Sequence, residues 1–83
     1  MPYIKQERRD RLADAIDDLS NIFDSIGTTG NLNYVIYRLA RLHCTNYSSY
    51  AAFLGELEAA KLEIYRKLVA PYEDKKEVEN GSI

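Results

Sequence analysis

The sequence has little of what disulfide frameworks, metal sites and membrane spans require. Its 83 residues include one cysteine, one histidine and no tryptophan. A single cysteine excludes a disulfide or a cysteine-built zinc site within one chain, and a single histidine excludes paired-histidine metal motifs. No run approaches the roughly 18 apolar residues of a membrane span, and the N-terminus lacks an apolar signal core. We therefore expect no metal, cofactor or membrane contact, and a cytoplasmic protein with Cys44 reduced.

A large basic excess is also absent. Lys and Arg number 11 against 13 Asp and Glu, giving a net charge of −2. This balance disfavours a general DNA-coating protein, so nucleic acid is not the expected partner. With 46% hydrophobic and 29% charged residues, the chain has the composition of a folded protein. Its length predicts a single helical domain over residues 1–83.

Apolar residues recur every three or four positions in three segments, which predicts an all-α, three-helix arrangement. The helices are expected at about 6–26, 31–43 and 49–70. Gly27 should end the first helix, Thr29 or Asn31 should cap the second, and Ser48 or Ser49 should begin the third. Pro71 lacks a backbone donor, so the third helix should end or kink near Ala70. A charged helical tail is expected over 72–80.

The third segment carries more apolar surface than one neighbouring helix can cover. Its apolar residues spread over about half of the helix circumference or more: Phe53, Leu54, Leu57, Ala60, Leu62, Ile64, Tyr65, Leu68, Val69 and Tyr72. A chain of this length buries only about 60–65% of its unfolded surface, and such chains often gain stability by association. We therefore expect a homo-oligomer.

Convergent catalytic groups are missing from the sequence. His43 and Cys44 are neighbours that do not face each other on a helix, so they make a poor nucleophile–base pair. No lysine followed by serine or threonine accompanies the glycines, as a P-loop requires. Carboxylates at helical spacing are interpreted as a solvated surface. We therefore expect no enzymatic activity.

Cations and aromatic rings at helical spacing are the candidate binding features. Lys61 falls within the apolar sector, where it either extends to water and pairs with Glu58 or lines a cleft between subunits. Tyrosine occurs seven times, and Tyr34 precedes Arg38 by one helical turn. Such pairs can hold a base and its phosphate, although ordinary interface tyrosines and surface salt bridges give the same pattern. The candidate ligand-binding residues are Tyr3, Arg8, Tyr34, Arg38, Lys61, Tyr65 and Tyr72.

Several ordered motifs resemble a family of small phage and prophage proteins. They are Met-Pro-Tyr at residues 1–3, Asn-Tyr-Val-Ile-Tyr-Arg-Leu at 33–39, Ala-Lys-Leu-Glu-Ile-Tyr-Arg at 60–66 and Pro-Tyr-Glu-Asp at 71–74. The resemblance spans almost the whole chain. Tyr37, where the family is expected to carry threonine, and Ser82, where it is expected to carry aspartate, depart from it. The resemblance implies a viral or prophage accessory protein that acts in a bacterial host.

Three functions follow as hypotheses. The first is a non-catalytic homo-oligomer that sequesters a nucleotide-derived, cyclic-nucleotide-like immune signal of the host, by analogy with small helical phage proteins of other families. The second is a protein-interaction module that inhibits or adapts a host protein. The third, disfavoured by the negative net charge, is a DNA-binding accessory.

Overall fold

A computed structural model describes residues 3–81, and these residues are helical throughout apart from short connections. The order is α1 (Gln6–Ile26), α2 (Asn31–His43), α3 (Tyr47–Ile64), a π-helical turn (Tyr65–Val69) and α4 (Ala70–Asn80). The last three segments follow one another without a loop, so the chain has three helical bodies. No strand occurs within the described range. The predicted all-α class with three helices is confirmed.

The connection between α1 and α2 is built on two glycines with positive φ. Gly27 has φ 82° and donates its N–H to the Phe23 carbonyl at 2.7 Å, which ends α1 as predicted. Gly30, with φ 79°, is the N-cap of α2, where no side-chain cap is present. The Asn31 amide instead donates backwards to the carbonyls of Ile26 (3.1 Å) and Gly27 (3.0 Å). The predicted capping of α2 by Thr29 or Asn31 is therefore wrong, because Asn31 satisfies carbonyls at the end of α1.

A capping box starts α3 two residues earlier than predicted. The Asn46 Oδ1 accepts the Ser49 N–H at 2.9 Å, and the Ser49 Oγ accepts the Asn46 N–H at 3.1 Å. The two side chains thus satisfy backbone donors that the first turn of a helix leaves without partners. Ser49 contributes from inside the helix, whereas the sequence pattern favours it or Ser48 as the start. Beside this box lies Cys44, which is 6% exposed and donates to the Ser49 carbonyl at 3.5 Å.

Pro71 lies in a helix that continues through it. The Ala70 N–H donates to the Tyr65 carbonyl, five residues back, which makes the preceding turn π-helical. Proline lacks an N–H and its ring collides with the carbonyl four residues earlier, so an ordinary α turn there is costly. The wider turn accommodates the ring, and α4 begins with Pro71 in its first turn. The helix therefore does not end near Ala70; a kink at this point stays a prediction.

The chain is extended rather than compact. Its radius of gyration is 16.2 Å, against about 12 Å for a compact domain of this length. Cys44 is the one buried residue in the described range, and the innermost apolar side chains of α2 and α3, such as Val35, Ile36, Phe53 and Leu57, are only half-buried. Much of the apolar face of residues 50–72 is left uncovered by the chain, since Leu54, Leu62 and Leu68 are all about 60% exposed or more.

Candidate functional site

Two tyrosines and two arginines of α2 line one groove. Tyr34, Tyr37, Arg38 and Arg41, together with Leu42, surround a cavity of about 490 Å³, and we call it the α2 groove. Their spacing of three, four, seven and eight residues from Tyr34 places all five on one face of the helix. The Arg38 Nη1 donates to the Tyr34 hydroxyl at 2.8 Å, and its guanidinium carbon lies 5.7 Å from the ring centroid.

The α2 groove is positively charged. None of the five residues that line it is acidic. The ion pairs found across residues 3–81 are Lys61–Glu58 and Lys76–Glu79, so neither arginine of the groove is neutralised by a carboxylate. Arg41 lies in the last turn of α2, where the helix dipole favours a cation. The groove can therefore attract an anion without first breaking an ion pair.

A second groove lies on α3 and the π-helical turn. Lys61, Leu62, Ile64, Tyr65 and Val69 line a cavity of about 430 Å³, which we call the α3 groove; its walls are mostly apolar. The Lys61 ammonium lies 3.6 Å from the Glu58 carboxylate, and the side chain is 73% exposed. Lys61 thus pairs with Glu58 in water while its stem borders the groove. A cleft between subunits at this position stays a prediction.

Tyr65 and Tyr72 each contact a charged side chain of α4. The Tyr65 hydroxyl donates to the Glu73 carboxylate at 2.5 Å. This hydrogen bond, together with the negative charge of Glu73, raises the pKa of Tyr65 above its usual value. The Lys76 ammonium lies 5.7 Å from the centroid of the Tyr72 ring, within the range of a cation–π interaction.

The two remaining candidates lie at the N-terminal end. The Tyr3 hydroxyl donates to the Glu63 carboxylate at 3.0 Å, which holds the start of the chain against α3. Arg8 lines a small cavity of about 300 Å³ with Arg11 and Leu12 on α1. Neither the Tyr3 contact nor the Arg8 cavity brings a tyrosine ring together with a cation.

The seven candidate residues do not share one cavity. Tyr34 and Arg38 meet on α2, and Lys61 and Tyr65 meet on α3. Tyr3, Arg8 and Tyr72 each lie elsewhere. Sequence interpretation missed Tyr37 and Arg41, which complete the α2 groove. The signal was present, because both lie at helical spacing from Tyr34.

An apolar groove also follows α1. Ile16, Leu19, Phe23 and neighbouring residues up to Thr28 line a cavity of about 430 Å³. Ile16 is 59% exposed, whereas Leu19 and Phe23 are half-buried, so the rest of the chain covers this stripe only in part. Of the described helices, none is both long enough and apolar enough to cross a membrane. No three metal-ligating side chains come together within residues 3–81.

Comparison with known proteins places the chain in a family. The sequence signature of the family described as "Domain of unknown function (DUF6899)" matches residues 1–83. No curated protein and no solved structure matches the chain.

Proposed function

We propose that this chain, which belongs to the DUF6899 family, is a non-catalytic accessory protein of phage type. Several copies associate, and the assembly binds and sequesters a nucleotide-derived signal of host defence in the bacterial cytoplasm. Two features support this proposal: apolar surface that the chain leaves uncovered, and a groove that combines arginine with tyrosine.

The proposal that several copies associate rests on the large solvent-exposed area of the chain. The chain exposes 7502 Å², whereas a compact monomer of 9.5 kDa exposes about 5,000 Å². Each copy therefore leaves roughly 2,500 Å² more surface in water than a compact monomer would. Permanent interfaces bury about 2,000–5,000 Å² in total, so two copies that hide this excess reach the upper part of that range. With no disulfide available in a chain that has one cysteine, association is the remaining source of stability.

The residues of the α2 groove support the proposal that the ligand is derived from a nucleotide. Arginine guanidinium groups bind phosphate oxygens in pairs, and tyrosine rings stack on bases. Both residue types line the same cavity, and its arginines have no carboxylate partner among the described residues. A small anion that also carries an aromatic base fits this chemistry better than a metal ion or an apolar molecule does.

Two measurements on the purified protein test the proposal. Sedimentation or light scattering at micromolar concentration should give the mass of two or more copies of the 9.5 kDa chain. Calorimetry with a panel of cyclic dinucleotides, cyclic trinucleotides and ADP-ribose derivatives should detect binding of at least one class. A 9.5 kDa species would contradict the proposed self-association. An absence of heat with every nucleotide would contradict the proposed sequestration.

The α1 stripe favours one alternative, a protein-interaction module that inhibits or adapts a host protein. An amphipathic helix with an uncovered apolar face is a common ligand for a hydrophobic groove on a partner. This alternative predicts a monomer that forms a stoichiometric complex with one host protein, with an affinity that nucleotides do not change. A DNA-binding role is weaker, because the net charge of −2 opposes contact with phosphate backbones.

A further inference from the structure

We infer that the α2 groove is the subsite that holds the phosphate of the ligand, with Arg38 and Arg41 as its anion ligands and Tyr34 and Tyr37 as its stacking surface. The inference rests on the proposed function and deepens it. It adds Tyr37 and Arg41 as binding residues. The ligand class is a nucleotide with a phosphate or diphosphate next to an exposed base.

The spacing of the arginines supports a shared phosphate. Arg38 and Arg41 are three residues apart on one helix, so their Cβ atoms lie about 5–6 Å from each other. Both side chains line the same cavity. Two guanidinium groups that start so close together can converge on one phosphate, or on the adjacent phosphates of a diphosphate. Each presents several donors in a planar fork that matches phosphate oxygens.

Arg38 is already positioned. Its Nη1 donates to the Tyr34 hydroxyl at 2.8 Å, which restricts the side chain to the side of the groove. A positioned donor loses less conformational freedom when the ligand arrives. The hydrogen bond occupies one donor of the guanidinium and leaves the other donors for an anion.

The rings are available to a base. Tyr34 is 59% exposed and Tyr37 is 55% exposed, although both line the groove. A base can therefore stack on either ring while its phosphate reaches the arginines. The cavity of about 490 Å³ falls within the size of ordinary ligand pockets, about 300–1,000 Å³.

The α3 groove is the poorer place for an anion. It offers one cation, Lys61, whose ammonium already lies 3.6 Å from the Glu58 carboxylate. A phosphate there would compete with that carboxylate and meet mostly apolar walls. The α2 groove has two cations and no acidic residue in its lining.

Calorimetry with three probes tests the inference on the full-length protein. ADP-ribose carries a diphosphate, cyclic di-AMP carries two separate phosphodiesters, and adenosine carries no phosphate. We expect at least one of the two phosphate-bearing probes to bind and adenosine to bind at least about tenfold more weakly. Arg41→Gln should weaken binding about tenfold or more, and Tyr37→Ala should weaken it while Tyr37→Phe retains it.

Two further variants separate this inference from the proposed function. Arg66→Gln makes the same chemical change on the π-helical turn and should leave the affinity unchanged. If the probe binds wild type and Arg41→Gln equally but is lost in Lys61→Gln, the α2 subsite is wrong and the proposed function stands. If neither phosphate-bearing probe binds the wild type, this inference is wrong, and the proposed function is wrong as well when the wider nucleotide panel also gives no heat. Circular dichroism and sedimentation of each variant confirm that helicity and assembly are retained.

Discussion

Tyr65 and Glu73 show how a single contact depends on the path of the backbone. The two residues are eight positions apart, on opposite sides of Pro71, and their side chains form a hydrogen bond of 2.5 Å. The sequence identified Tyr65 as a candidate residue, but not Glu73 as its partner. A proline predicts that the helix ends or kinks. From either expectation, it does not follow that residue 73 lies beside residue 65. The pairs within one uninterrupted helix, such as Tyr34 with Arg38 and Lys61 with Glu58, were predictable from spacing alone.

The Tyr65 hydrogen bond should make stability depend on pH in the alkaline range. Glu73 raises the pKa of Tyr65 in the folded chain above the ordinary value near 10, because the neutral phenol donates to the carboxylate and a phenolate would be repelled. The stabilisation is therefore fully present below that ordinary value and is lost as the pH rises through the folded pKa. Glu73→Gln should lower the pKa of Tyr65, which tyrosinate absorbance measures, with Tyr65→Phe identifying its contribution.

Glu77→Gln serves as the control for this titration. Glu77 lies one turn after Glu73 on α4, and its carboxylate forms no hydrogen bond within residues 3–81. We expect this variant to leave the tyrosinate titration of Tyr65 unchanged. An equal effect of the two glutamine substitutions would mean that general negative charge, rather than the hydrogen bond, shifts the phenol.

At the scale of elements, the positions of the helices followed from the sequence better than their caps did. The bounds of α1 and α2 agree with the predicted 6–26 and 31–43, because apolar periodicity and Gly27 are strong local signals. The caps were assigned less well, since an asparagine between two helices can serve either one. Asn31 donates to the end of α1, and Asn46 rather than a serine starts α3. Sequence pattern locates a capping residue but not the direction of its hydrogen bond.

The same substitution at two glycines should have opposite effects on stability. Gly30 has φ 79° and open space around it, so Gly30→Ala is disfavoured by the backbone conformation alone, by about 1–2 kcal/mol. Gly55 lies inside α3, also with open space around it, so Gly55→Ala should stabilise by about 0.5–1 kcal/mol. Urea unfolding followed by circular dichroism, at one fixed protein concentration, measures both free energies.

Each of these variants is the control for the other. A loss of stability in both would show that a methyl group at position 55 meets a surface supplied by another copy. A gain in both would contradict the positive φ at Gly30.

For the whole molecule, the sequence anticipated uncovered apolar surface but not the arrangement of the candidate residues. Residues 50–72 carry too much apolar surface for one neighbour, and the structure leaves much of that surface exposed. The grouping of the seven candidates was not predictable, because residues on different helices meet only through the tertiary arrangement. Periodicity within α2 could have completed the α2 groove, whereas nothing in the sequence places Tyr3 against Glu63.

A charge on the apolar stripe of α1 should weaken association. Ile16 is 59% exposed and lines the apolar groove that follows α1, so a second copy that covers this stripe would bury its side chain. Burying an isoleucine is worth about 1.5–3 kcal/mol, so Ile16→Lys should weaken association by at least about tenfold. Sedimentation over a range of concentrations measures the change.

Val78→Lys is the matched control. Val78 is 87% exposed on the charged α4 and lines none of the four grooves and cavities described above, so its substitution should leave the association constant unchanged. An unchanged constant for Ile16→Lys would place the interface elsewhere, for example on the outer face of α3.

The π-helical turn determines how far α4 is rotated about the helix axis relative to α3. In a regular α-helix a residue eight positions later is rotated by about 80° from the first, so residue 73 would point to one side of residue 65. A turn closed by a bond to the fifth residue back contains more residues and rotates the following segment back toward the line of Tyr65. The pKa of Tyr65 therefore depends on the π-helical turn. If this turn became regular α-helix, α4 would rotate away from Tyr65, the hydrogen bond to Glu73 would be lost, and Tyr65 would ionise as an ordinary tyrosine does.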